Sequence, residues 1–148
     1  MTKEELKKRI EDILETFQTA YPGCMDSMFH LRYGDCNPDE RWIELKYTVE
    51  ENAYNILGIL HGGAAAWLLD NGVGVCLGSF IGGESPAINT VNLNINYLKS
   101  AKAGSELTIH VQIESIGYKI CTLSSKIYEG TQLCYSALST YYRHNAAK

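Results

Sequence analysis

One apolar segment constrains the fold of this chain more than any other: residues 62–80, which carry glycine at 72, 74 and 78. The segment reads as a helix, yet each internal glycine disfavours helix by roughly 1 kcal/mol. Glycines at that density imply that something approaches the backbone closely, either an enclosing sheet or a partner helix. The same segment holds a single acid, Asp70, at the end of the run Ala64-Ala65-Ala66-Trp67-Leu68-Leu69-Asp70. No lysine or arginine lies between Lys46 and Lys99. An ionised carboxylate buried without a cation is costly, so it shifts its pKa or finds a partner. Such a residue is a candidate for chemistry; the competing reading is a structural acid paired with a remote cation. His61-Gly62-Gly63 opens the helix. The glycines offer bare backbone N–H groups at a helix N-terminus, where a developing negative charge is stabilised.

The elements around this helix set the class. Residues 2–20 form an amphipathic helix with a capping box, Thr2 with Glu5, and an apolar stripe of Leu6, Ile10, Ile13, Leu14 and Phe17. Tyr21-Pro22-Gly23 ends it, and it packs on the domain surface or at a subunit contact. A weak strand is expected at 28–33 and a strong one at 41–49, where Ile43, Leu45, Tyr47 and Val49 alternate with Glu44, Lys46 and Thr48. Gly82-Gly83-Glu84-Ser85-Pro86 closes the glycine-rich helix. Four strands follow: Val91 to Tyr97, Leu107 to Ile113, Lys119 to Tyr128 and Gln132 to Arg143, the last two joined at Glu129-Gly130. The order predicts an α+β fold, an antiparallel sheet with one central helix packed on it. With 148 residues the expectation is one domain over 1–148, of which 1–25 are the N-terminal helix and loop.

Charge and cysteine content narrow the partners. The net charge of −4 leaves no basic excess for nucleic acid. The five cysteines show no C-x-x-C spacing, which reads as buried free thiols in a reducing cytoplasm. There is no N-terminal apolar leader and no uninterrupted run of about 18 apolar residues, so neither a signal peptide nor a membrane span is expected. His30, His61, His110 and His144 show no metal-ligand spacing.

The pattern Asn55-x5-His61-Gly62-Gly63-x6-Asp70-Asn71, followed by Thr90-Val91-Asn92-Leu93-Asn94-Ile95-Asn96-Tyr97, resembles the PaaI-like branch of the hotdog-fold acyl-CoA thioesterases over about 45–145. The resemblance implies a sheet wrapped around the central helix. It implies a homodimer, often paired into a tetramer, that hydrolyses acyl-CoA with neither metal nor organic cofactor. It places Asp70 as general base or nucleophile and the Gly62 N–H, beside Gly63, against the thioester carbonyl. Asn55 would hold the carbonyl or the attacking water, His61 would sit near the sulfur, and Thr90 would assist the acid. Two positions depart from the family pattern: no proline follows Leu98-Lys99, and Tyr118 intervenes between Gly117 and Lys119.

Each assignment has a plainer rival. His61 is also a natural helix cap, and Asn55 a natural turn residue. Thr90 shares parity with Asn92, Asn94 and Asn96, the polar face of its strand. It would therefore reach a site only at the strand end or across a subunit boundary. Lys99, Lys102 and Lys119 are candidates for the CoA phosphates, Lys99 foremost, or else solvated charges. A protein that binds acyl-CoA without turnover is the alternative to an enzyme. A hotdog dehydratase would need a catalytic histidine paired with an acid in a different motif, which is not found. Gly62 and Asp70 also lie about 12 Å apart along an ideal helix, too far to serve one carbonyl. An active site spanning two chains is therefore expected.

Overall fold

The structure, a computed structural model, describes residues 1–20, 22–82 and 87–144. Its elements run α1 (Lys3–Thr19), a 3-10 turn (Met25–Ser27), β1 (Arg32–Asn37), β2 (Trp42–Thr48), α2 (Gly62–Ile81), β3 (Ile88–Tyr97), β4 (Glu106–Ile116), β5 (Ile120–Glu129) and β6 (Gln132–Arg143). The strands form one antiparallel sheet in the order β1-β2-β4-β5-β6-β3. This is the expected α+β architecture. The inward-facing residues of β2 and β4, Ile43, Leu45, Tyr47, Leu107, Ile109 and Val111, are buried with Leu68, Leu69, Val73 and Cys76 of α2. α2 has the length and apolarity of a membrane span; here it is a core helix, with eleven of its residues buried.

The glycines of α2 divide by neighbour. A Cβ at Gly72 would meet Ile109 Cγ2 at 3.1 Å and Val111 Cγ2 at 3.3 Å, so the enclosing sheet requires that glycine. A Cβ at Gly78 would meet Ile13 Cδ1 of α1 at 3.2 Å. Only Gly74 has open space beside it, so of these three it alone leaves room for a partner helix. α1 caps itself through the Thr2–Glu5 box and buries Leu6, Ile10 and Leu14, lying across α2 and β1.

The first strand differs from expectation. It lies at Arg32–Asn37 rather than 28–33. Phe29 and Leu31 are buried in the approach to it, with Phe29 edge-on to Trp67 at 4.6 Å. Gly34, Asp35 and Asn37 have poor strand preference, and pairing with β2, with a bulge between Tyr33 and Asp35, makes this segment a strand. Of the stop signals read from sequence, Tyr21 and residues 83–86 lie outside the described residues. The β5–β6 hairpin turns at Gly130, whose φ of +59° favours glycine.

Candidate active site

The N-terminus of α2 is built by His61. Its backbone is extended, with φ −64° and ψ 138°. Its Nδ1 accepts the Gly63 N–H at 2.9 Å. Glycine suits position 63, because a Cβ there would sit 3.1 Å from that nitrogen. The acceptor role places the proton of a neutral imidazole on Nε2. Of the two glycine N–H groups read from sequence, the cap therefore takes Gly63. Gly62 N–H, in the first helical turn, has no acceptor among the described residues. The Tyr97 hydroxyl donates to Gly62 O at 3.1 Å, and its ring stands edge-on to Tyr135 at 5.7 Å.

Asn55 sits just upstream in a tight turn. Its Oδ1 accepts Leu57 N–H at 2.9 Å and its carbonyl accepts Gly58 N–H at 2.9 Å. The turn fixes the Asn55 side chain and leaves Nδ2 as the available donor. Asn55, Gly62 and Lys99 line one open cleft of about 270 Å³ with Ile59, Leu60, Tyr97, Leu98 and Tyr135.

Asp70 lies two helical turns further on, half-buried. Its Oδ1 receives the Thr90 hydroxyl at 2.9 Å and the Tyr141 hydroxyl. Tyr141 also lies 3.1 Å from the Asp70 carbonyl oxygen. Oδ2 has no partner among the described residues. Burial, and then the neighbouring carboxylate, push the Tyr141 phenol far above its ordinary range, so it remains a donor at neutral pH. Asn71, with its amide turned to suit its neighbours, accepts Trp67 Nε1 at 3.0 Å and donates to Asp26 at 3.1 Å. Among the described residues no three His, Cys, Asp or Glu side chains are grouped to hold a metal.

A sequence model of the thioesterase superfamily matches residues 57–135, more than half of the chain and the whole span from His61 through Thr90. The chain belongs to that superfamily. The provisionally assigned esterase PA0474 of Pseudomonas aeruginosa is 25% identical over 108 residues, covering 72% of this chain and 80% of that protein. The PaaI protein of the Escherichia coli phenylacetic acid degradation operon superposes with a TM-score of 0.78 over 99% of both chains at 15% identity. Streptococcus mutans smu.793, solved bound to acetyl-CoA, gives a TM-score of 0.71 at 21% identity over 82% of this chain and 94% of its own. The protein is a hotdog-fold thioesterase, hence a hydrolase, and its fold is that of PaaI.

Within the thioesterase chain the expected site residues fall into two groups. Asn55, His61, Gly62, Gly63 and Lys99 gather at the start of α2, with Lys102 close by through the Ile59–Lys102 bridge. Asp70 and Thr90 form the second group. Lys119 lies at that second end of the sheet, its Nζ over the rings of Tyr142 at 5.1 Å and Tyr118 at 5.6 Å. Lys99 and Lys119 thus sit at opposite ends of strands about 30 Å long. Sequence reasoning missed Tyr97 and Tyr141. Neither carries a local signal of a role, and the pairing of β6 with β3 sets Tyr141 beside Thr90, on the side that faces the acid.

Proposed function

We propose that this thioesterase hydrolyses an acyl-CoA to a free acid and CoA at a site assembled from two copies of the chain. The observation that carries the reading is the division of the machinery along α2. A carboxylate with one oxygen held and the other open lies eight residues from an unpaired N–H, about 12 Å along the axis. Two α2 helices packed antiparallel about a two-fold axis would bring Asp70 of one copy to Gly62 of the other. Asp70, with Ala66 and Gly74 at i−4 and i+4, lies on the α2 face that such a neighbour would meet, and Gly74 leaves open space there. β3 supports the same pairing. It closes one edge of the sheet, pairs among the described residues with β6 alone, and is ten residues long. It exposes Val91 (61%) and Tyr97 (56%). A long edge strand with one row of backbone N–H and C=O groups unpaired is a template for another strand.

In that site Asp70 Oδ2 takes a proton from water as the water attacks the thioester carbonyl, or attacks the carbonyl itself to form an anhydride that water then opens. Charge developing on the carbonyl oxygen meets Gly62 N–H at the positive end of α2, a donor worth about 3 kcal/mol. Asn55 Nδ2 directs the carbonyl or the water. His61 Nε2–H faces the departing sulfur; CoA leaves as the thiolate, which takes up the proton that Asp70 removed from the water or, on the anhydride route, one from the water that opens the anhydride. Lys99 and Lys102, on the Gly62 half-site, meet the CoA phosphates, with Lys119 entering from the Asp70 half-site. Gly63 contributes by holding the cap. The dimer pairs further into a tetramer, and the five free thiols suit a reducing cytoplasm.

The test is thiol release from a panel of aryl, short-chain and medium-chain acyl-CoAs by wild type and Asp70→Asn. Turnover of at least one thioester is expected, with kcat lowered about 10²–10⁴-fold in a variant of unchanged circular dichroism. Tight acyl-CoA binding without turnover would make this a binding protein instead. A folded Asp70→Asn variant retaining more than about a third of kcat would remove Asp70 from the chemistry.

A further inference from the structure

The side chain of Asp70 has little on its own helix to hold it. Its neighbours one turn away, Ala66, Trp67, Val73 and Gly74, give its carboxylate no hydrogen bond, and Gly74 has nothing within 4 Å of the place its Cβ would occupy. A carboxylate without a hydrogen bond from its own helix takes its orientation from elsewhere, and misplacement of a reacting group by about 1 Å can cost 10²-fold in rate. What fixes it comes from the sheet. Thr90 on β3 and Tyr141 on β6 are register partners and so point to the same side. Both donate to Oδ1 of Asp70.

Building on the assignment of Asp70 as the reacting acid, we propose that Tyr141 is a positioning residue that anchors Oδ1 of Asp70, so that Oδ2 alone meets water or the thioester. Tyr141 is suited to this in a way Thr90 is not. Its ring is 3% exposed, so packing fixes the hydroxyl, whereas Thr90 is exposed and its hydroxyl rotates. The hydroxyl also reaches the backbone carbonyl of the same aspartate, tying side chain and helix to one point on the strand. Its burial and the carboxylate beside it keep the phenol protonated, so it neither competes as a base nor repels Asp70. No proton need leave Tyr141 at any step.

Tyr141→Phe keeps the ring and removes the donor. We expect kcat to fall about 10-fold with KM within about twofold, the loss of one hydrogen bond to a charged group. Para-aminophenylalanine at 141, which restores an N–H donor in the same shape, should recover most of that loss. In an Asp70→Ala background Tyr141→Phe should change the residual rate by less than about twofold, because nothing is left to position. A ring needed only for packing would instead lower activity by a similar factor in both backgrounds and would not be rescued by the donor. That result, or a Tyr141→Phe enzyme with wild-type kcat alongside an inactive Asp70→Ala, overturns the role of Tyr141 and leaves Asp70 in place. A fully active Asp70→Ala overturns the assignment of the acid itself.

Discussion

Thr90 donates a hydrogen bond to Oδ1 of Asp70 at 2.9 Å from a strand whose alternation, read from sequence, aims that hydroxyl at the opposite face. The cause is a bulge. Thr90 pairs with Tyr141 and Asn92 with Thr140, so Val91 is an extra residue without a partner. The insertion shifts the face of everything before it by one position. Thr90 joins the helix side with Tyr141, while Val91, apolar by composition, is displaced outward to 61% exposure. Asn92, Asn94 and Asn96 keep their outward face.

The first prediction follows from that contact. Thr90→Val preserves shape and removes one of the two donors to Oδ1. We expect kcat to fall about 3–10-fold with KM little changed. Thr90→Ser should retain most activity, because the hydroxyl remains. Steady-state kinetics on one good acyl-CoA decides it, and equal activity in Thr90→Val and wild type would leave the contact without a catalytic role.

How much of this was legible beforehand depends on the range of the interaction. The capping box, the α2 boundaries and the alternation of β2 and β4 are local, and sequence period reports them directly. The His61–Gly62–Gly63 start was legible as a cluster, but the division of labour within it was not: a side-chain cap on Gly63 is a conformational choice. β1 was misplaced because Arg32–Asn37 has no periodic signal of its own and becomes a strand only by pairing. The Val91 bulge and the Tyr141 hydroxyl were out of reach for the same reason. Both are set by the register of β3 on β6, whose paired residues here lie about fifty positions apart in sequence.

The second prediction separates the lysines. Lys99 lines the cleft with Asn55 and Gly62, whereas Lys119 packs over two tyrosines at the far end of the sheet. A ligand as anionic as CoA needs local cations on a chain of net charge −4. Lys99→Ala should raise KM for acyl-CoA more than it lowers kcat. It should leave KM for a truncated acyl thioester, lacking the nucleotide, within about twofold. An equal response of the two substrates would remove Lys99 from the phosphate site.

The third prediction concerns alkaline stability. Burial pushes the Cys76 thiol above its ordinary 9.0. Burial and the Asp70 carboxylate push the Tyr141 phenol above 10.0. Both groups have folded pKa values above their unfolded ones. Their contribution is therefore complete below about pH 9 for the thiol and pH 10 for the phenol, and is lost as pH rises beyond those points. The unfolded chain gives up each proton first, so each group tilts the equilibrium by about 1.4 kcal/mol per pH unit above its unfolded value. Urea unfolding at pH 8, 9.5 and 10.5 should show an accelerating loss of stability. Cys76→Ala, though less stable at pH 8, should lose less between pH 8 and 10.5; an identical loss would contradict the assignment.

The fourth prediction tests the shared site. Asn55 and Gly62 stand at the head of α2, and Asp70 stands two turns along it. If a working site takes Asn55 from one copy and Asp70 from the other, the two defects can be sorted into one site by mixing chains. Asp70→Asn and Asn55→Ala should each be nearly inactive alone. After subunit exchange, each heterodimer would carry one site with both defects and one with neither. Random exchange makes half of the dimers mixed, and each of these has half its sites intact, so activity should recover to about a quarter of wild type. Exchange is verified independently with tags of different mass on the two chains. If a site used one chain alone, mixing would leave every site with one defect and activity would stay at the level of the separate variants. A fully active monomer would refute the shared site as directly.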